Sequence, residues 1–582
     1  MHSFIERLEP RIAPAALAGN VVNYTDIDGD AVTITFATRG TLQASDFVFE
    51  ASDFAENGPQ QLDAILIPKG HKWKGTDLSA VATAGGEGDG EVHIRRIDAR
   101  GVDLGNVFVD GDLGAIRAGD HRRGTFAVET LDIATWGGNA IASTALDQSP
   151  TSRLNGGADQ LLINGDIDRV DVEVRGYVDR VEIGGSILGG DDHDSGFLLF
   201  RRLIGAVNIG GDVIGGRGSY SGGIFSYDGI GSVTLEGSMQ GGSGQFSGGI
   251  DAVDSIGKSW IGGSIRGGSG DFSGKFEARN LLLDLTVEGS IEGGAGEVSG
   301  FIAGGEIGRV FVKGDVTGGT GYYSANIYSN RGGDMIEVGG SVRGGQNQYS
   351  GNITVFGGLN SARIGGDLLG GSGANSGTLS AELGANTVTI VGSVIAGTGL
   401  ESGGVEAGYI GLLEVWGDVI GTPENRVSIN AFGRPQAGFF NLGFVEIHGS
   451  VFFTDILAGS DPASPYKGAT IGTVYVSGDW TGSNVVASVI DKAGNGFGNS
   501  DDAAATGSKK NTQISSINHI IIAGMVHGTS DVTTDHFGFT AQQLKSVVLG
   551  GVPFGLQSGA GNDLLVQVPN VGTGDVRFNE VR

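Results

Sequence analysis

The sequence predicts an all-β chain: a parallel β-helix or β-solenoid of about 26 residues per coil, behind a small N-terminal β module. Three observations carry this prediction. A five-residue core recurs thirteen times: apolar, any residue, Gly, Ser or Asp, apolar. Its Ser or Asp falls at 166, 186, 212, 238, 264, 290, 315, 341, 367, 393, 418, 450 and 479, and from 186 to 418 every step is 25 or 26 residues. A Ser-Gly step keeps the same register at Ser195, Ser221, Ser247, Ser273, Ser299, Ser350, Ser376 and Ser402, with Ser324-Ala325 completing the series. Between these landmarks apolar residues alternate, as Val233 and Leu235 do with Thr234 and Glu236, which is the period of a strand. A strand-only repeat of this length buries its apolar side by stacking on its neighbours. The blades of a β-propeller need ~40 residues or more, so the solenoid is the better fit.

Composition agrees. Glycine supplies 110 of 582 residues, against ~7% ordinarily. Pairs such as Gly241-Gly242 and Gly267-Gly268 are expected to provide the positive φ of tight turns. Proline is scarce, at 11, which excludes collagen. The absence of cysteine excludes a disulfide scaffold, a thiolate metal site and a cysteine nucleophile. With 37 basic and 66 acidic residues the formal charge is -29, so nucleic acid and anionic lipid are poor partners. The sequence has no apolar run of the length a transmembrane helix needs.

Along the chain, residues 1–19 stand outside the repeat, and Ala15-Ala16-Leu17-Ala18 resembles a cleavage site. Residues 20–95 lack the period and read as an N-terminal β module or cap. Residues 96–555 read as the solenoid, with a polar insertion at 490–515, and 556–582 as an irregular C-terminal tail. Weaker copies of the core extend the series at Gly111-Asp112-Leu113, Gly138-Asn139-Ala140, Gly524-Met525-Val526 and Gly551-Val552.

The N-terminal stretch Phe4-Ile5-Glu6-Arg7-Leu8-Glu9-Pro10-Arg11-Ile12-Ala13-Pro14-Ala15 resembles the LEPR motif of large exported or surface proteins of the Planctomycetes and Verrucomicrobia, with Leu8-Glu9-Pro10-Arg11 matching its core. Ile12-Ala13-Pro14-Ala15 is closer to the Verrucomicrobial variant. Tyr24 through Thr35 is similar to the first module found behind that motif. The Gly-Asp and Gly-Ser coils are more loosely similar to the coils downstream in such proteins. The resemblance implies export to a bacterial cell surface or the extracellular space, and no catalytic residues.

Four groups of residues invite a chemical reading. Asp26, Asp28 and Asp30 place three carboxylates around Gly29, an oxygen set suited to Ca²⁺. It is not an EF-hand, since Ala31 and Ala37 occupy the positions of the loop glycine and the closing Glu; the competing reading is a solvated turn. Asp191, Asp192, His193 and Asp194 share the turn that Arg217 to Tyr220 occupy one coil later, which favours an exposed acidic corner, with Ca²⁺ as the ion that fits the ligand types. The Ser/Asp series exchanges six Asp for seven Ser, which suits a hydrogen-bonded turn and not catalysis. The aromatic series Tyr220, Phe246, Phe272, Tyr323 and Tyr349 reads as packing between coils, with sugar stacking as the alternative. Gly257-Lys258-Ser259 lacks the earlier glycine of a phosphate loop.

The sequence therefore points to an exported β-solenoid with a structural or adhesive role, binding surface glycans or other surface proteins, without catalysis and with Ca²⁺ as the only cofactor candidate. The alternative is a polysaccharide lyase or glycoside hydrolase using Asp191, Asp192 and Asp194 with Arg201 and Arg202. A passenger-type segment of a secretion system is a third reading, one that a C-terminal membrane barrel would have supported.

Overall fold

The computed structural model describes residues 15–49, 59–85, 88–120, 122, 124–137, 151–433, 440–460, 465–506, 513–529, 535–569, 571 and 575–582. The chain is an all-β parallel solenoid of about 17 turns, with ~26 residues per turn. It divides into two compact units, one formed by 1–263 with 273–278 and the other by 264–272 with 279–582.

The first unit begins antiparallel. Val21–Thr25 pairs with Ala16–Ala18 on one side and with Ala31–Ala37 on the other, and the latter pairs with Thr76–Thr83. Parallel stacking starts where Leu62–Leu66 meets Val92–Arg100 and Thr76–Thr83 meets Leu104–Gly119. From there each coil repeats three strands. A long strand such as Ile204–Ile209 stacks on Ile230–Leu235, a two-residue strand Val213–Ile214 on Met239–Gln240, and a third, Gly223–Ser226, on Ile250–Ala252. The second unit continues the same scheme, for example Ile291 on Val316, Val316 on Val342 and Val342 on Leu368. All thirteen apolar residues that follow the Ser/Asp corner, from Ile167 to Trp480, are fully buried. Each contributes about 1.5–3 kcal/mol of burial.

The corner is a ladder of backbone-to-side-chain hydrogen bonds that run from coil to coil. Ser186 N–H donates to Asp166 Oδ1 at 2.6 Å, Asp212 N–H to Ser186 Oγ at 3.0 Å, and Ser238 N–H to Asp212 Oδ1 at 2.6 Å. In the second unit the ladder passes through Ser290, Asp315, Ser341, Asp367, Ser393, Asp418, Ser450 and Asp479, ending at Met525 N–H. Ser and Asp exchange freely because each offers one short oxygen to the N–H above. No two successive corners are both Asp. Stacked carboxylates would stand ~4.8 Å apart and repel.

The glycine pairs turn differently from expectation. Gly241, Gly242, Gly267 and Gly268 do not adopt positive φ. They are small because coils approach closely: a Cβ on Gly242 would lie 2.1 Å from the Gly216 carbonyl oxygen. The same holds for most of the glycines before a corner, as at Gly237, where a Cβ would lie 2.3 Å from Asp212 Oδ1. The left-handed residues are those flanking the loop serine, such as Tyr220 at φ 58° and Gly222 at φ 63°. The serine between them secures the loop: Ser221 Oγ accepts from Gly216 N–H at 2.9 Å and donates to the Gly218 carbonyl at 2.6 Å.

Three further expectations are corrected. Gly138-Asn139-Ala140 lies outside the described residues, and its register is filled by Thr135-Trp136, which pairs with Asp112-Leu113 before and, through Trp136, with Ile167 after. Val552 does not form another coil corner; Val552–Pro553 folds back antiparallel on Val547–Leu549. The C-terminal tail is not wholly irregular, because Val576–Glu580 adds a parallel strand to Phe537–Ala541 and buries Phe578. These differences have physical causes. The corner needs an oxygen and a buried apolar neighbour, which Thr135-Trp136 supplies, and a last coil needs a covering strand. Within the polar insertion, Val489–Ile490 and Ala503–Ala504 form a small antiparallel ribbon.

Candidate functional site

The turn of the first hairpin gathers the three predicted aspartates. Asp26 Oδ1 accepts the N–H groups of Gly29 at 3.2 Å and Asp30 at 2.8 Å, which fixes the turn, and Gly29 takes φ 109°. Asp30 reaches away from the hairpin and accepts the N–H groups of Gly85 and Gly90. Ligand oxygens of Asp26, Asp28 and Asp30 lie within 4.8 Å of one another, and Asp28 forms a second such group with Asp89 and His93. Asp89 and His93 were not found from sequence, since more than sixty residues separate them from Asp26. Burial pushes the Asp26 carboxyl up to about 7, helped by the facing Asp28 carboxylate, and the same contact holds Asp28 below its ordinary value. The Asp112 carboxylate, 3.2 Å from His93 Nδ1, raises the imidazole to about 9.

Residues of the catalytic alternative are engaged with other partners. Asp191 is exposed and 4.0 Å from Arg217, while Asp194 pairs with His193 at 2.8 Å. Asp194 N–H donates to the Ser219 carbonyl, which places the Asp191–Asp194 turn in register with the next coil. Arg201 binds Glu173 at 3.1 Å and Arg202 lies 3.6 Å from Asp228, so both arginines are engaged with other acids. The aromatic column packs as expected: Tyr220 stacks on Phe246 and Tyr323 on Tyr349, each pair at 4.8 Å and within 14° of parallel.

Two features were missed. In the first unit Lys69, Arg100, Arg117, Arg153 and Arg175 line a cavity of about 520 Å³, an unusual concentration of cations in so acidic a chain. Glu173 bridges Arg153 and Arg175 at 2.8 and 3.2 Å, and Asp98 holds Arg100 at 2.8 Å. In the second unit a groove of about 620 Å³ is lined by Tyr409, Phe440, Leu383, Glu382, Asn386 and Asn441. Gly408, Gly411, Gly433 and Gly443 also line it. The Tyr409 ring lies against Gly384, where a Cβ would come within 2.1 Å of it, and its hydroxyl donates to Asn386 Oδ1 at 2.6 Å. Both rings are well exposed, Tyr409 at 38% and Phe440 at 45%. The sequence carried a signal: the corner spacing jumps to 32 between 418 and 450, and Phe440 sits in the added length.

No protein-family model matches the chain, and neither does a curated protein or a solved structure.

Proposed function

We propose that the chain is an exported, non-catalytic bacterial surface protein, structural and adhesive, that holds neutral glycan in the groove of Tyr409 and Phe440. The groove carries the reading. Two exposed aromatic residues share the groove with glycines, a carboxylate and amides, the chemistry that suits the C–H faces and hydroxyls of a pyranose. The net charge of -29 favours an uncharged sugar over an acidic one. The uniform corner ladder supports the non-catalytic part, since its oxygens are already used by N–H groups. Export rests on the resemblance at Leu8-Glu9-Pro10-Arg11, which lies outside the described residues. Among the described residues, no helix is long and apolar enough to cross a membrane.

Electrophoresis through gels containing neutral polysaccharides tests binding. Retardation should appear with at least one glycan and weaken about tenfold in Tyr409→Ala and in Phe440→Ala. Equal mobility of all three proteins on every glycan refutes the groove. Export is tested by locating the chain in its native cell with and without residues 1–19; a cytoplasmic full-length chain refutes it. The lyase reading is favoured by the cationic cavity alone, and ultraviolet detection of unsaturated product from an acidic polysaccharide would replace the non-catalytic reading with it.

A further inference from the structure

We propose that the Asp26–Asp30 turn is a divalent cation site of calcium type, with Asp26 Oδ2 and Asp28 Oδ1 as its innermost ligands. The acidic cluster is not the only ground. Asp26 is 1% exposed, and among the described residues its Oδ2 receives no hydrogen bond; Asp28 is a more exposed residue, but its Oδ1 atom is buried and receives no hydrogen bond either. Asp26 and Asp28 each place a carboxylate oxygen within 4.8 Å of the other's. Two carboxylates this close, with their inner oxygens buried, repel unless a proton or a cation lies between them.

The surrounding groups sharpen the assignment. Asp26, Asp28, Asp30, Asp89 and Asp112 bring five carboxylates to this end of the first unit. Asp30 is satisfied by the Gly85 and Gly90 N–H groups, while Asp112 accepts from Thr135 through Oδ1 and turns its Oδ2 to the His93 cation. His93 supplies a nearby cation, 3.2 Å from Asp112 and 3.7 Å from Asp89. His93 also stands within 4.8 Å of Asp28, so among the described residues Asp26 is the carboxylate of the turn with no positive partner and no donor on its second oxygen. The remaining donors are oxygens, which selects a hard ion; calcium tolerates an irregular oxygen set better than magnesium does. The position gives the ion a role. Asp26 and Asp28 belong to the hairpin, whereas Asp89 and the Gly85 and Gly90 amides precede the strand Val92–Arg100. A bound ion would fasten the N-terminal hairpin to the first parallel strands. This inference does not depend on the glycan reading.

Terbium titration of the full chain, with tyrosine excitation, tests it. Tyr24 is buried two residues from Asp26 and should sensitise an ion bound there. Expected are saturable emission, displacement by Ca²⁺ at lower concentration than by Mg²⁺, and an affinity loss of at least about tenfold in Asp26→Asn and in Asp28→Asn. Asp491→Asn, in the separate acidic group of Asp491, Asp501 and Asp502, should leave this component intact. Calcium should raise Tm in the parent chain and not in Asp26→Asn. Unchanged terbium binding in both Asn variants, or no Ca²⁺ response of the parent at millimolar concentration, overturns the proposal. If the Asn variants fail to fold, Tyr24→Phe decides: reduced sensitised emission supports the site, and unchanged emission refutes it.

Discussion

The Ser/Asp corners and the acidic residues of the first unit solve the same problem in different ways. A corner carboxylate such as Asp367 finds the Ser393 N–H one coil on, at 2.8 Å, and is flanked in the stack by serines. The solution is backbone-made, so it repeats wherever the coil repeats. Elsewhere in the first unit the acids depend on particular partners. Asp251 and Glu277 stack directly on each other, two like charges in adjacent strands, and Lys275 stands between them at 2.6 and 2.8 Å. Asp26 lacks such a cation among the described residues, and Asp28 shares His93 with Asp89 and Asp112. An acidic solenoid thus tolerates its charge by alternation and backbone donors where it is regular, and by individual counter-charges where it is not.

Removing a counter-charge should therefore cost most. Lys275 is 5% exposed, and Lys275→Ala leaves two carboxylates facing each other with their cation gone. A loss of about 3–5 kcal/mol is expected, measured by urea unfolding. Adding Asp251→Asn to that variant should recover part of it. A loss under about 1 kcal/mol would show that Lys275 is not what compensates the pair.

Breaking the alternation should cost less. Ser341→Asp would insert a carboxylate between Asp315 and Asp367, making three in a row with ~4.8 Å between neighbours. The N–H of Asp367 would keep an acceptor, so the change isolates repulsion from hydrogen bonding. The expected loss is about 1–2 kcal/mol, shrinking as salt is added. Equal stability of variant and parent at low salt would mean that the absence of paired Asp corners has another origin.

The fold was legible because the corner residues carry their own register. Thirteen copies of one pentapeptide, each closing on a buried apolar residue, define a coil without reference to anything distant. What escaped was set by contacts across coils. Thr135-Trp136 serves as a corner without the preceding glycine, so a motif search passes over it for Gly138-Asn139. Gly242 looks like a turn glycine until the Gly216 carbonyl beneath it is seen. The Asp26, Asp28 and Asp30 group was readable from its spacing, but Asp89 and His93 join it only through the parallel pairing that begins at Leu62. The Tyr409 groove left one trace, the lengthened step from 418 to 450.

Asp171 is the mildest case and extends the comparison to pH. It opens the third strand of the short coil between corners 166 and 186, which lacks the Ser-Gly loop. Burial pushes its carboxyl up to about 6 from 3.8, with Asp194 and Glu173 adding repulsion and Thr151 and Arg153 opposing it. A folded-state value above the unfolded one means that the native chain binds the proton more tightly. This stabilisation is complete below about 3.8 and is lost as pH rises through about 6. Asp171→Asn removes the charge while keeping the shape. The variant should gain stability relative to the parent steadily between those two pH values and hold a constant advantage above them, read as a difference in Tm. Parallel profiles for the two proteins would show that Asp171 is as well compensated as a corner aspartate, and the contrast between the two regions would then narrow to Asp251, Glu277 and the first hairpin.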